Sequence, residues 1–466
     1  MRRRVVGIET EYGLTCATRS GAPPIHDADA AARLLFAPLA LSGRAPNVYL
    51  RNGGRLYLDV GAHPEYATAE CDSFEDLLAQ HRCGDELLNQ LNDRTRAELE
   101  GLADPERIYL FRNNVDSAGN SFGCHENYLL HRRRDFRQVA QGLVAFFVTR
   151  LVLVGAGHLR RSGNKLSYCF SQRAEQMWEA VSSATTRTRP IINTRDEPLA
   201  DAGQYRRLHV ISGDTNVCEA TTFLKVGMTS LVLDAVEDGM NLSDLELADP
   251  MLAIRQVNQD LSAQVKIPMA HGGELSALDI QERILQRVVD VLGIDLGDSS
   301  CDASTRQVID LWQRALAALR SGDWSSVDRE LDFAIKFRLI QEYLKRKQTT
   351  LDDPRVARLL LSYHDIGPNG LRRGLESSGL MRRLTTEEQV QQACIQAPRS
   401  TRAHLRSSII NAAETAGIEL AIDWVRASRI DDPGRYVLMN DPFATESESV
   451  DQFISGLRAR DEFLPA

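Results

Sequence analysis

The feature that most restricts this chain is an alternation near its start. Over residues 5–12 a period of two sets Glu9 and Glu11 on one face and Val6, Ile8 and Thr10 on the other. Two carboxylates sharing one side of a strand resist burial under a second layer. The acidic face must therefore stay open while the apolar face is covered. The same sorting returns in residues 47–60, where two strand-like runs flank Asn52-Gly53-Gly54, a hairpin signal. In the second run Arg55, Tyr57 and Asp59 point one way and Leu56, Leu58 and Val60 the other. At Arg207, His209 and Ile211 against Arg206, Leu208 and Val210 the polar face is less clean.

Helical periodicity covers residues 27–41, 73–102, 135–154, 221–238, most of 276–346, and 401–416, with a strand-like run at 418–424. Ser73 followed by Glu75 and Asp76 is an N-cap with an acidic first turn. Glycines and basic residues cluster with a proline between 366 and 386. A loop near Ala397-Pro398-Arg399-Ser400 divides the chain into a large unit, 1–396, and a small C-terminal domain, 397–466. The expected class is α+β: a sheet with helices under its apolar face and an open, charged, concave face above.

Composition narrows the function. With 64 acidic against 55 basic residues and a net charge of −9, the chain has no general basic coat, so nucleic acid is not an expected partner. The apolar stretch at 142–157 is broken by Thr149 and Arg150 and falls short of the ~18 residues of a membrane span. It reads as a buried helix, and no membrane is expected. Eight cysteines without a CxxC pair read as reduced thiols, and the start offers no apolar secretory leader, so the expected location is cytoplasmic.

Phosphate loops of the GxxxxGK[ST] type and GxSxG elbows are absent. Gly155-Ala156-Gly157 imitates the start of a dinucleotide fingerprint, but Arg160 replaces its third glycine; a helix-ending turn is the better reading. What remains is a set of acids on strands: Glu9, Glu11, Asp59, Glu65 and Glu70. Acids converging on one face repel unless a cation neutralises them, and hard oxygen donors suit Mg²⁺. Periodicity does not decide which of them touch metal. Arg55, Arg195, Arg206 and Arg207 are candidate phosphate or carboxylate contacts. Metal plus arginines suggests phosphoryl transfer without a P-loop. His63 and His125 read first as hydrogen-bonded structural residues.

Longer runs carry a resemblance. Gly7-Ile8-Glu9-Thr10-Glu11-Tyr12-Gly13, the stretch from Arg55-Leu56-Tyr57-Leu58-Asp59 to Ala69-Glu70-Cys71-Asp72, Gly123-Cys124-His125-Glu126-Asn127-Tyr128, Ile191-Ile192-Asn193-Thr194-Arg195-Asp196-Glu197-Pro198 and Tyr205-Arg206-Arg207-Leu208-His209-Val210 resemble the Pup ligases of the proteasome accessory factor A family. The resemblance spans nearly the whole chain, ending at Ile422-Asp423-Trp424 and Asp441-Pro442-Phe443. It implies a glutamine synthetase-like fold, a curved antiparallel sheet cradle backed by helices with a small C-terminal domain. It also implies ATP and Mg²⁺ as cofactors, and as partners Pup, a disordered ubiquitin-like protein, and diverse lysine-bearing proteins. The implied reaction joins the C-terminal glutamate side chain of Pup to a lysine amine through a glutamyl phosphate, marking proteins for proteasomal degradation.

Carried over by motif position, Asp59 is the expected general base, Glu9, Tyr57 and Glu65 hold Mg²⁺ with Glu11 as an extra candidate ligand, and Arg55, Thr68 and Trp424 contact ATP. The family usually has histidine where this chain has Leu199. The alternative is the paralogous Pup deamidase and depupylase; the Ile8-Glu9-Thr10-Glu11-Tyr12-Gly13 start and the short interval before Arg55 favour the ligase. An acidic partner implies that basic residues gather along a groove leading to the cradle.

Overall fold

The alternating segment forms an inner strand of an eight-stranded sheet in the computed structural model, which describes residues 1–41, 47–59, 61–116, 119–184 and 189–458. From one edge the strands run Glu179–Ser182, Pro190–Asn193, Tyr205–Val210, Cys124–His131, Val6–Glu11, Pro64–Ala67, Arg55–Leu58 and Asn47–Tyr49. All neighbours are antiparallel except the first pair, which is parallel. The hairpin falls where Asn52-Gly53-Gly54 put it, with Tyr49 opposite Arg55. Gly53 takes φ +79°, a conformation glycine adopts without steric cost. Val60 lies outside the described residues, so only Leu56 and Leu58 stand for the apolar side of its strand.

Helices cover one face. Phe136–Val154 and Glu219–Glu237 share a hydrophobic cluster with Val6, Ile8, Tyr128, Leu130, Leu208 and Val210, the side chains out of phase with Glu9 and Glu11. Phe136–Val154 is long and apolar enough to cross a membrane, but its residues pack in this core. Gly155 ends that helix, and a Cβ there would stand 2.3 Å from the Phe170 carbonyl oxygen. The N-cap expected at Ser73 is present: its Oγ accepts from the Asp76 amide at 3.1 Å, opening a helix over Phe74–Glu100.

The glycine- and arginine-rich stretch at 366–386 contains a short helix, Leu371–Ser377, anchored by buried Arg372 on Asp85. Beyond residue 397 the chain is richer than its pattern suggested. The helix Ala403–Thr415 packs with a three-stranded sheet of Leu420–Ile422, Arg426–Arg429 and Tyr436–Leu438 and with a last helix, Glu448–Arg458. Leu405, Ile409, Ala427, Val437, Phe453 and Leu457 form a hydrophobic cluster of their own.

Candidate active site

Pairing across strands gathers the polar faces. Glu9 stands opposite Ala67 and His125, and Glu11 opposite Glu65, which is in turn opposite Tyr57. Two donor clusters result. Ligand atoms of Glu11, Asp59 and Glu65 lie within 4.8 Å of one another, as do those of Glu9, His125 and His209. Asp59 is fixed just past its strand by a tight turn. Its N–H donates to the His63 carbonyl at 2.9 Å, and its own carbonyl accepts from Ala62 at 3.0 Å, with Gly61 and Ala62 at positive φ.

Electrostatics treats the two clusters differently. Burial pushes the Glu65 carboxyl well above its usual range, reinforced by Glu9, Glu11 and Asp59, while the Tyr57 hydroxyl hydrogen-bonds to it. Burial also opposes the Glu9 anion, but His125 Nδ1 at 3.1 Å, His209 and Arg207 together hold that carboxyl below its usual range. Asn127 Nδ2 donates to Glu9 Oε1 at 3.0 Å and is oriented by Arg207, whose Nη1 donates to Asn127 Oδ1 at 3.0 Å. His209 is pushed down to about 3 by burial, so at neutral pH it is an uncharged imidazole, and support for the Glu9 anion falls to His125 and Arg207.

These residues fit a divalent cation. Among the described residues His209 Nε2 has no hydrogen-bond partner; it lies buried 3.7 Å from Glu9 Oε2, and a neutral imidazole is the form that ligates metal. The all-oxygen set suits Mg²⁺; the mixed nitrogen and oxygen set admits softer ions as well.

Beside Glu9 a pocket is lined by Gly7, Thr68, Asn127, Leu199, Arg207 and Trp424. Thr68 Oγ1 accepts the Ile8 amide at 3.1 Å, and Trp424 meets Tyr49 edge-on at 5.2 Å. Arg55 lies over Tyr57 at 4.2 Å and Tyr49 at 5.7 Å, held by Asn47 Oδ1 at 2.8 Å. Leu199 has φ +51°, and its carbonyl accepts from Arg402.

Three of the expected candidates lie outside the two donor clusters, although Glu70 lines the pocket beside Glu9. Glu70 does not join the acid cluster; five residues beyond Glu65 it falls out of phase, and Arg402 (2.8 Å) and Arg406 take its carboxylate. Arg206 is on the helix side of its strand, 3.9 Å over the Phe136 ring and paired with Asp196 at 3.6 Å. Arg195 is exposed and pairs with Glu197 at 2.8 Å. Of the three late arginines, Arg207 alone faces Glu9. His63 stacks on Phe122 at 4.5 Å with Nδ1 3.1 Å from the Tyr12 carbonyl, the structural role expected of it. His125, His209 and Asn127 do reach the centre, brought there by strand register: Glu9 stands opposite His125 and Asn127 opposite His209.

A largely antiparallel sheet that carries two donor clusters and, beside Glu9, a pocket flanked by Trp424 is the frame of an ATP-dependent ligase. The model of the Pup-ligase protein family matches residues 4–428, and the chain belongs to that family. The Pup–protein ligase of Xylanimonas cellulosilytica is 49% identical over 463 residues, 98% of this chain and 100% of that protein. That of Sanguibacter keddieii is 47% identical over 458 residues, 98% and 99% of the two chains. The crystal structure of Pup in complex with its ligase PafA matches with a TM-score of 0.90 at 40% identity, covering 98% of this chain and 92% of that one. PafA in complex with ADP matches at 0.83, also at 40% identity, over 94% and 95%. Both share this α+β architecture.

Proposed function

We propose that this chain is an ATP-dependent Pup ligase that forms an isopeptide bond between the C-terminal glutamate side chain of Pup and lysine amines of diverse proteins, the bond that marks them for proteasomal degradation. The observation that carries this reading is Asp59 held with Glu11 and Glu65 on the open face, next to the separate cluster of Glu9, His125 and His209. Glu9, Tyr57 and Glu65 would hold Mg²⁺, with Glu11, His125 and His209 as further donors. When bound, the ion supplies charge neutralisation for the nucleotide phosphates.

The protein's own groups do the rest. Arg55, Thr68 and Trp424 bind the nucleotide, and Arg207, fixed by Glu197 at 3.3 Å and by Asn127, offers a guanidinium toward the transferring group. An oxygen of the glutamate side chain attacks the terminal phosphorus of ATP, ADP leaves, and an acyl phosphate results. A lysine ammonium is not nucleophilic, so Asp59 attracts it and accepts its proton; the free amine attacks the acyl carbon and phosphate departs. A buried cation also lies within electrostatic reach of Glu11. Arg173 donates to Ser121 Oγ, the Phe122 carbonyl and the Ile211 carbonyl; burial lowers its guanidinium to about 10, offset in part by the charge of Glu11.

Residues 397–466 belong to the same proposal as a small C-terminal domain supplying Trp424, supported by their separate hydrophobic cluster. Eight free thiols suit a cytoplasmic location.

Purified protein given ATP, Mg²⁺, glutamate-ended Pup and a lysine-bearing protein should yield a conjugate and ADP. Cleavage of preformed conjugates without ligation would assign it to the depupylases; ADP binding with neither activity would leave only a docking module.

A further inference from the structure

One buried guanidinium ties together the three segments that carry the proposed nucleotide contacts. Arg406, on the Ala403–Thr415 helix, is 0% exposed. Its Nη1 and Nη2 take the Glu70 carboxylate, with Nη1 3.0 Å from Oε1. Nε and Nη2 donate to the Gly53 carbonyl at 3.2 and 2.8 Å, and Nη1 donates to the Trp424 carbonyl at 3.1 Å. Its plane also lies 4.8 Å from the Trp424 ring and 5.8 Å from the Tyr49 ring. Gly53 precedes Arg55 by two residues, Glu70 follows Thr68 by two, and Trp424 is the third contact itself. The hairpin turn is pressed onto the same helix: a Cβ at Gly53 would stand 3.0 Å from the Ala403 Cβ.

Only arginine meets this demand. Its planar fork presents five fixed donors and a face that stacks on rings, whereas lysine offers three rotating donors on a point charge. The contacts on the Glu70 side are charge-assisted and largely desolvated, so the three segments are held in one relative arrangement.

We propose that Arg406 is the positioning residue of the nucleotide pocket, setting Arg55, Thr68 and Trp424 in register without touching the nucleotide. This rests on the nucleotide reading above.

The test uses the full chain and measures ADP affinity directly, alongside KM for ATP and kcat for conjugation. Arg406→Lys should weaken ADP binding about tenfold or more, as expected for losing a charge-assisted hydrogen bond, and raise KM for ATP in proportion. At saturating ATP the loss in kcat should be the smaller effect. Glu70→Gln loosens the same guanidinium from its other side and should give the same split; it carries the test if Arg406→Lys does not fold. In a Trp424→Phe background, Arg406→Lys should cost less ADP affinity than it does in the parent, because part of its effect runs through that residue. Unchanged ADP affinity in Arg406→Lys, or a fall in kcat alone, overturns the proposal and leaves Arg406 a structural residue. Failure of the parent protein to bind ADP would instead sink the nucleotide reading, and this inference with it.

Discussion

Asp59 carries the residue-scale consequence of the site. It shares its cluster with Glu11 and Glu65, yet it alone of the three sits at a turn rather than inside a strand. Asp59→Asn keeps the shape and removes the proposed proton acceptor. Conjugation should fall by about 10²–10⁴-fold, the usual contribution of a general base, while ADP affinity stays within about threefold of the parent. Single-turnover conjugation alongside ADP titration checks both; an equal loss in the two would make Asp59 a cation ligand rather than the base. Much of this was legible from parity, since Glu9, Glu11, Tyr57, Asp59 and Arg207 share a face once a period of two is granted. His125 and His209 were not, because their company is set by strand register. Glu9 opposite His125 and Asn127 opposite His209 are pairings no single strand encodes. Glu70 shows the opposite error: nearness in sequence to Glu65 stood in for nearness in space.

Elements are held in place by ion pairs that the apolar pattern only hints at. Glu126 projects from the Cys124–His131 strand into the helical layer, fully buried, where Arg150 of Phe136–Val154 takes both carboxylate oxygens at 2.9 and 2.7 Å. Tyr128 Oη donates to the same carboxylate at 2.6 Å and Arg150 reaches Thr229 Oγ1 at 2.6 Å. Burial would raise Glu126, but Arg150 and Lys225 keep its carboxyl below the usual range. Glu126→Ala leaves a buried guanidinium uncompensated and should destabilise the protein by about 3–5 kcal/mol, read as a lower denaturant midpoint. Restoring compensation by removing the charge on Arg150 as well, in Glu126→Ala with Arg150→Met, should recover part of that loss. The arginine that interrupts the longest apolar run is thus the residue that locks the helix to the sheet. Long helices such as this one were legible because many turns repeat the same periodicity. The three C-terminal strands have three, four and three residues, too few for alternation to stand out, and tertiary packing decides them.

For the whole molecule, the join between the large sheet and the C-terminal unit rests on Glu70, and it should titrate. Burial alone would raise this carboxyl, but Arg406 and Arg402 more than offset that and hold it at about 2, against 4.5 for an ordinary glutamate. A group whose folded value is depressed adds stability above its unfolded value and loses it as pH falls toward the folded one. The contribution should therefore be full above about pH 4.5 and disappear progressively toward pH 2, amounting to about 3 kcal/mol. Glu70→Gln cannot ionise, so the gap in urea midpoint between it and the parent should be widest at neutral pH and close below pH 4.5. Because Thr401 Oγ1 also donates to the Glu70 carbonyl at 2.7 Å and Arg402 to the Leu199 carbonyl, the C-terminal unit should stay docked in Glu70→Gln. Loss of the charge would then loosen the register of the nucleotide pocket before it separates the two units. A midpoint gap that stays constant from neutral pH to pH 3 would instead place the stabilisation in packing around Gly53 and Ala403 rather than in the carboxylate.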